Sequence, residues 1–274
     1  MVLTKEIEKQ IIEYVKKEPR TIQDIAQLIN KSWITADSYV EEIKERTGLI
    51  NIKKFRGGTK GSVKIIYWNY NELAQSSDIM KNLFEQIKTG RVKTDFNPFD
   101  IYQFVDEGKK SAIKEEYTDD FISTKQNLIE IFRKAKDTIY CFSGNISWLK
   151  IEENGIMVED VVKELADKGV KFKILCRVDF NTIKNIDMIK DVPNIEIKHC
   201  RHPLRGFIID DELLRLKGFE EKNKYKEGEL DKDVRVFYNI YDRTWVEWGQ
   251  KVFWNLHRNS IPADKRIKEI EAIF

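Results

Sequence analysis

Two apolar or alternating runs, residues 49–55 and 62–68, are separated by Arg56-Gly-Gly-Thr-Lys-Gly61, a glycine-rich connection of the kind a β-hairpin uses. Between Ile50 and Ile66 the chain places Lys53, Lys54, Arg56, Lys60 and Lys64 and no acidic residue. A hairpin of that charge can contact phosphates and release their counterions. The competing reading is a solvated hairpin that serves solubility or a protein contact.

Three helical patterns precede it. Ile7, Ile11 and Val15 recur at four-residue spacing up to Pro19. Thr21 and Asp24 have the spacing of a capping box, and Ile22, Ile25, Leu28 and Ile29 supply the stripe that follows. Residues 30–34 read as a turn, Thr35 as the cap of a third helix with Tyr39, Val40 and Ile43 inside, and Gly48 as its stop. That order predicts an α+β winged helix-turn-helix over residues 1–70, with double-stranded DNA as partner. The candidate contacts are Ser32, Trp33, Thr35 and Ser38 at the start of the third helix and Lys53, Lys54, Arg56, Lys60 and Lys64 on the hairpin. Trp33 reads equally well as a plug in the core. Asp37, Glu41, Glu42 and Glu45 on the same helix oppose DNA unless they turn away or meet cations.

Net charge supports a polar division of labour. The whole chain of 274 residues carries only +2, yet residues 1–70 hold 13 Lys and Arg against 9 Asp and Glu, so the remainder is slightly acidic. No stretch approaches the 18 or so apolar residues of a membrane span, and the N-terminus lacks a signal-peptide apolar region, so a cytoplasmic location and no membrane partner are expected. Cys141, Cys176 and Cys200 lie far apart in apolar runs, which suits small buried hydrophobes better than a metal or redox trio. No cofactor or metal is expected.

Residues 71–122 read as a helical linker, with Leu73, Ile79, Met80, Leu83, Phe84 and Ile87 at helical spacing before Gly90. That stripe either pairs with its twin in a homodimer or docks on its own chain. Residues 123–274 alternate helix and strand, which predicts an α/β layer with a mostly parallel sheet.

The run Arg201-His-Pro-Leu-Arg-Gly-Phe-Ile-Ile-Asp210 and the tail containing Val252-Phe-Trp-Asn-Leu256 and Ser260-Ile-Pro-Ala263 resemble one half of a phospholipase D-type domain. A winged helix followed by such a domain is similar to the archaeal TrmB-like regulators. The resemblance implies a dimeric DNA-binding transcriptional regulator with a small effector. It departs from the enzyme pattern where chemistry would lie: Pro203 and Arg205 stand where histidine and lysine are expected, His202 is one residue out of register, and no histidine heads a His-x-Lys. The expected domain is therefore a pocket without catalysis. Ser143, Asn145, Arg177, His202, Arg205 and Asp210 are its candidate ligand-binding residues, for a small anionic or sugar effector, while Arg205 and Asp210 read equally as a structural ion pair. Trp245, Trp248 and Trp254 read as core or as stacking surfaces. The alternatives are a phospholipase D-type nuclease guided to DNA and a DNA-associated scaffold.

Overall fold

The computed structural model describes residues 3–47, 49–56, 62–68, 77–116, 127–224 and 232–272. The N-terminal unit runs α1 (Lys5–Lys17), β1 (Arg20–Thr21), α2 (Ile22–Leu28), α3 (Trp33–Thr47), β2 (Ile50–Arg56) and β3 (Ser62–Trp68). The Ile7 N–H donates to Thr4 Oγ1 at the start of α1, and α2 opens on a reciprocal box in which Thr21 N–H donates to Asp24 Oδ2 at 2.8 Å and Asp24 N–H to Thr21 Oγ1 at 3.1 Å. Ser32, rather than Thr35, caps α3: the Thr35 N–H donates to Ser32 Oγ and the Ala36 N–H to the Ser32 carbonyl. Ile11, Ile22, Ile25, Val40, Ile43, Ile50 and Ile66 are fully buried in one core. The strands order as β1-β3-β2, all antiparallel.

The hairpin has two buried faces. Ile50, Ile52 and Ile66 point to the three helices, whereas Phe55, Val63, Ile65 and Tyr67 enter a second core with Phe99, Tyr102 and Tyr238. Because alternate strand residues face opposite sides, both sets are fixed by one register. Phe55 packs edge-on to Tyr238, with ring centroids 6.3 Å apart, and Tyr67 to Phe99 at 5.3 Å.

Beyond the hairpin come α4 (Ser77–Thr89), α5 (Phe99–Tyr102) and β4 (Lys110–Glu116). Then follow α6 (Leu128–Phe132), β5 (Thr138–Phe142), β6 (Glu152–Glu153), β7 (Ile156–Met157), α7 (Val158–Asp167), β8 (Lys171–Cys176), α8 (Phe180–Asp187) and β9 (Ile195–His199). The chain ends β10 (Gly206–Ile209), β11 (Leu213–Glu220), β12 (Val234–Ile240), α9 (Arg243–Arg258), β13 (Ile261–Pro262) and α10 (Ala263–Glu271).

The large sheet corrects the expectation of a mostly parallel one. Its order is β13-β9-β8-β5-β10-β11-β12-β4, and only β5–β8 and β8–β9 are parallel. A parallel neighbour needs a crossover of a dozen or so residues. The short connection 210–212 between β10 and β11 forces reversal, with Asp210 in the left-handed region at φ 49°. Residues 110–116, expected within a helical linker, form the edge strand β4 on β12. Helix α4 buries Leu83 and Ile87 in the second core and packs Ile79, Met80 and Phe84 partly against it, while Leu73 lies outside the described residues. Trp245 and Trp248 are buried in that core too, and Trp254 packs against Tyr140, Phe253 and His257. Cys141 and Cys176 are buried and Cys200 half-buried, with the Cys176 thiol pushed up to about 12 by burial. No described helix is long and apolar enough to cross a membrane.

Candidate functional site

Two surfaces carry the candidate residues. On the first, the start of α3 projects outward: Ser32 and Ser38 are exposed, Thr35 is half-buried, and Ile34, an apolar side chain, is 76% exposed. Trp33 is half-buried against the helical core, so it reaches both core and surface. Two of the four acids of α3, Asp37 and Glu41, are met by the hairpin, and Glu42 and Glu45 are exposed. The Lys64 ammonium donates to Asp37 Oδ1 at 2.6 Å and to Glu41 Oε1 at 3.1 Å. Burial draws the Lys64 pKa down, but those two carboxylates outweigh it and the net shift is upward, which holds the cation charged.

The hairpin cations thus divide. Lys53 turns toward the large sheet, 3.8 Å from Glu107 and 5.4 Å over the Tyr102 ring. Lys54 is exposed. The side chain of Arg56 and the whole of Lys60 lie outside the described residues. The expectation of an uncompensated cationic wing fails for Lys53 and Lys64, because each faces a carboxylate from another element.

On the second surface, a cavity of about 580 Å³ opens beside β5, β8, β10, β11 and β12. Ser143, Asn145, Arg177 and Arg205 line it together, as the sequence suggested. The β5 end is shaped by short bonds: the Ile146 N–H donates to Ser143 Oγ at 2.9 Å and the Ser147 N–H to Asn145 Oδ1 at 3.2 Å. Arg205 Nη1 donates to the carbonyls of His202 and Leu204 at 3.0 and 2.6 Å, which fixes the guanidinium in place. The group lies over Gly144, where an added Cβ would stand 2.8 Å from Nε. Gly206 is equally constrained, since a Cβ there would meet the Arg215 carbonyl oxygen. Arg177 pairs with Asp179 at 2.6 Å.

Two expected ligand residues are elsewhere. Asp210 closes the far end of β10, roughly 16 Å of extended chain from Arg205. There its carboxylate accepts from the N–H groups of Lys136, Asp137 and Thr138 at 2.8 to 3.0 Å. It is a cap on β5, and neither a ligand group nor the partner of Arg205. His202 is 2% exposed, with its ring against Phe142 and Nε2 donating to the Leu175 carbonyl at 3.3 Å. Burial, followed by the nearby Arg205 charge, pushes its pKa down to about 4, so it is a neutral core residue.

Sequence reasoning passed over Arg215, Lys217 and Arg235, which also line the cavity. The signal was present: residues 215 and 217 alternate on one strand face, and Lys217 pairs across with Phe237, Phe219 with Arg235. The Arg215 guanidinium lies 4.6 Å over the Phe237 ring and Lys93 4.3 Å over Phe219. The Lys217 side chain reaches solvent but stands inside a concavity crowded by protein. Burial, then the charges of Arg235, Arg205 and Lys93, bring its pKa down to about 8, against a weaker upward pull from Glu115. Burial lowers Arg215 to about 10. The concavity is therefore a region of strong positive potential.

Together the two surfaces define a mixed α/β protein: a three-helix unit with an antiparallel hairpin, packed on an eight-stranded mixed sheet that carries a cationic cavity. No protein-family model and no curated protein matches the chain. Among solved structures it is similar to NucT from Helicobacter pylori, at 12% identity and TM-score 0.40 over 56% of this chain and 99% of that one. It is similar to TrmBL2, an archaeal chromatin protein whose structure shows a novel mode of DNA binding, at 13% identity and TM-score 0.38 over 94% of each chain. A third likeness, at 12% identity and TM-score 0.38 over 56% of this chain and 98% of the other, is to Nuc from Salmonella typhimurium, a phospholipase D family member.

Proposed function

We propose that this chain is a DNA-binding transcriptional regulator whose N-terminal unit is a winged helix-turn-helix and whose α/β domain has no hydrolytic role. The observation that carries the reading is the start of α3: Ser32, Ile34 and Ser38 project there, while Asp37 and Glu41 share the Lys64 ammonium and the exposed Glu42 and Glu45 lie further along the helix. A helix that presents short polar groups and one aliphatic side chain, with the two acids nearest its start engaged by a cation, suits the floor of a major groove. Exposed Lys54 supplies a phosphate contact that carries no sequence information.

Binding to a two-fold operator as a dimer belongs to the same reading. Leu83 and Ile87 of the α4 stripe are covered within the chain, so a seam on α4 would have to use Ile79, Met80 and Phe84, which are partly buried. The test is fluorescence anisotropy of the full chain with duplex DNA at two salt concentrations. Affinity should fall steeply with salt, Lys54→Ala should weaken all sequences alike, and Ser38→Asp should abolish binding. No binding at low salt, or binding indifferent to Ser38→Asp, overturns the reading.

A further inference from the structure

We propose that the cavity between β5, β10, β11 and β12 binds a phosphorylated small molecule of nucleotide size, with phosphate held between Arg205 and Lys217. The proposal is independent of DNA binding by the N-terminal unit, and failure of either leaves the other standing.

Charge gives the first reason. Lys93, Arg177, Arg205, Arg215, Lys217 and Arg235 converge on one concavity that holds Glu220 and Glu221, with Arg177 paired to Asp179 at its edge. Among the described residues, neither Arg205 nor Lys217 forms an ion pair. Like charges gathered in a partly desolvated space repel, and an anion placed among them relieves that repulsion.

Geometry gives the second. The Arg205 guanidinium is held by two backbone carbonyls and backed by Gly144, so its remaining N–H groups have a fixed direction and lose little entropy on meeting phosphate oxygens. Lys217, two residues from Arg215 on the same strand face, adds a compact cation. Such a fork and point charge suit a tetrahedral oxyanion.

Size and walls give the third. A cavity of about 580 Å³ is far larger than a lone phosphate requires. Phe207, Trp148 and Phe237 provide apolar wall for a planar group. A bare polyanion does not use that wall, whereas a nucleotide does.

Isothermal titration of the full chain with ADP, inorganic pyrophosphate, adenosine, maltose and a single-stranded oligonucleotide tests this. ADP should bind, adenosine and pyrophosphate at least tenfold more weakly, and maltose not at all. Lys217→Met should weaken ADP tenfold or more with an unchanged thermal transition, and Arg205→Lys should weaken it as well, without removing a charge. No ADP binding at millimolar concentration, or ADP binding unaffected by Lys217→Met, overturns the proposal. Pyrophosphate binding as tightly as ADP overturns the nucleotide assignment, as does maltose binding. Displacement of ADP by the oligonucleotide at lower concentration makes the cavity a nucleic-acid channel and overturns the small-molecule assignment.

Discussion

Lys64 on β3 stands 2.6 Å from Asp37 on α3, so the hairpin of the N-terminal unit is clamped to the helix it flanks through a partly buried ion pair. The contact does two things at once. It ties the hairpin to the helical core, and it removes a negative charge from the face proposed to meet DNA.

Asp37→Asn should therefore raise affinity for duplex DNA a few-fold, because one negative charge leaves that face while Glu41 still holds Lys64. The same change should cost about 1 kcal/mol of stability, since one charged partner of the hydrogen bond is lost. Anisotropy and chemical denaturation measured on one preparation check both signs. A loss of DNA affinity without unfolding would show that Lys64 already acts through the pair.

The second core changes what a truncated fragment should do. Residues 1–70 alone would expose Phe55, Val63, Ile65 and Tyr67, which the full chain buries against Tyr238, Phe99 and Tyr102. That fragment should melt at lower temperature than the intact chain and should associate through the exposed face. Phe55→Ala in the full chain should cost about 3 kcal/mol by opening the same contact. A fragment that is monomeric and as stable as the whole would contradict a shared core.

Lys217 gives the cavity a pH signature. Its pKa is about 8 in the protein, lowered first by burial and then by Arg235, Arg205 and Lys93. A bound phosphate favours the ammonium and raises that pKa again. ADP binding should then take up protons at pH values just above 8, and its affinity should fall as pH rises from 7 to 9. Titration at pH 8.5 in two buffers of different ionisation enthalpy measures the uptake, and Lys217→Met should abolish it. Equal heats in both buffers would place the phosphate away from Lys217.

How much of this was legible follows from the range of each interaction. The helix stripes, the Thr21–Asp24 box and the hairpin rest on neighbours within about four residues, and these the sequence displays directly. Strand β4 was hidden because Lys110-Ser-Ala-Ile-Lys-Glu-Glu116 carries the charge of an edge strand and reads as linker. The wing cations misled because Lys53 meets Glu107 and Lys64 meets Asp37 only after folding. Arg205 and Asp210 were close in number yet lie at opposite ends of one strand. In an extended chain, five residues mean separation. Arg177 and Arg205 were legible as strand-end residues, while Arg215 and Lys217, in mid-strand, join the cavity through the pairing of β11 with β10 and β12.

The burial of His202 leads to a prediction about catalysis. A histidine nucleophile must present an unprotonated nitrogen in line with a phosphorus–oxygen bond, and a displacement of about 1 Å already costs much of the rate. Here the imidazole is 2% exposed, lies behind Phe142 and donates from Nε2 to the Leu175 carbonyl, and His202 is not among the residues that line the cavity. The full chain should therefore leave a model phosphodiester and duplex DNA intact, with or without added divalent cations. Its effect should appear in stability instead. In the unfolded chain His202 protonates below about 6.5, whereas in the fold burial delays protonation to about 4. The neutral buried ring thus contributes fully above about pH 6.5, and stability falls as pH drops toward 4, by up to about 3 kcal/mol. His202→Gln should flatten that slope in denaturant titrations at pH 4.5, 5.5 and 7. Diester cleavage by the wild type that disappears in His202→Gln, with the acid slope unchanged, would mean that the imidazole leaves the core and would restore the nuclease reading.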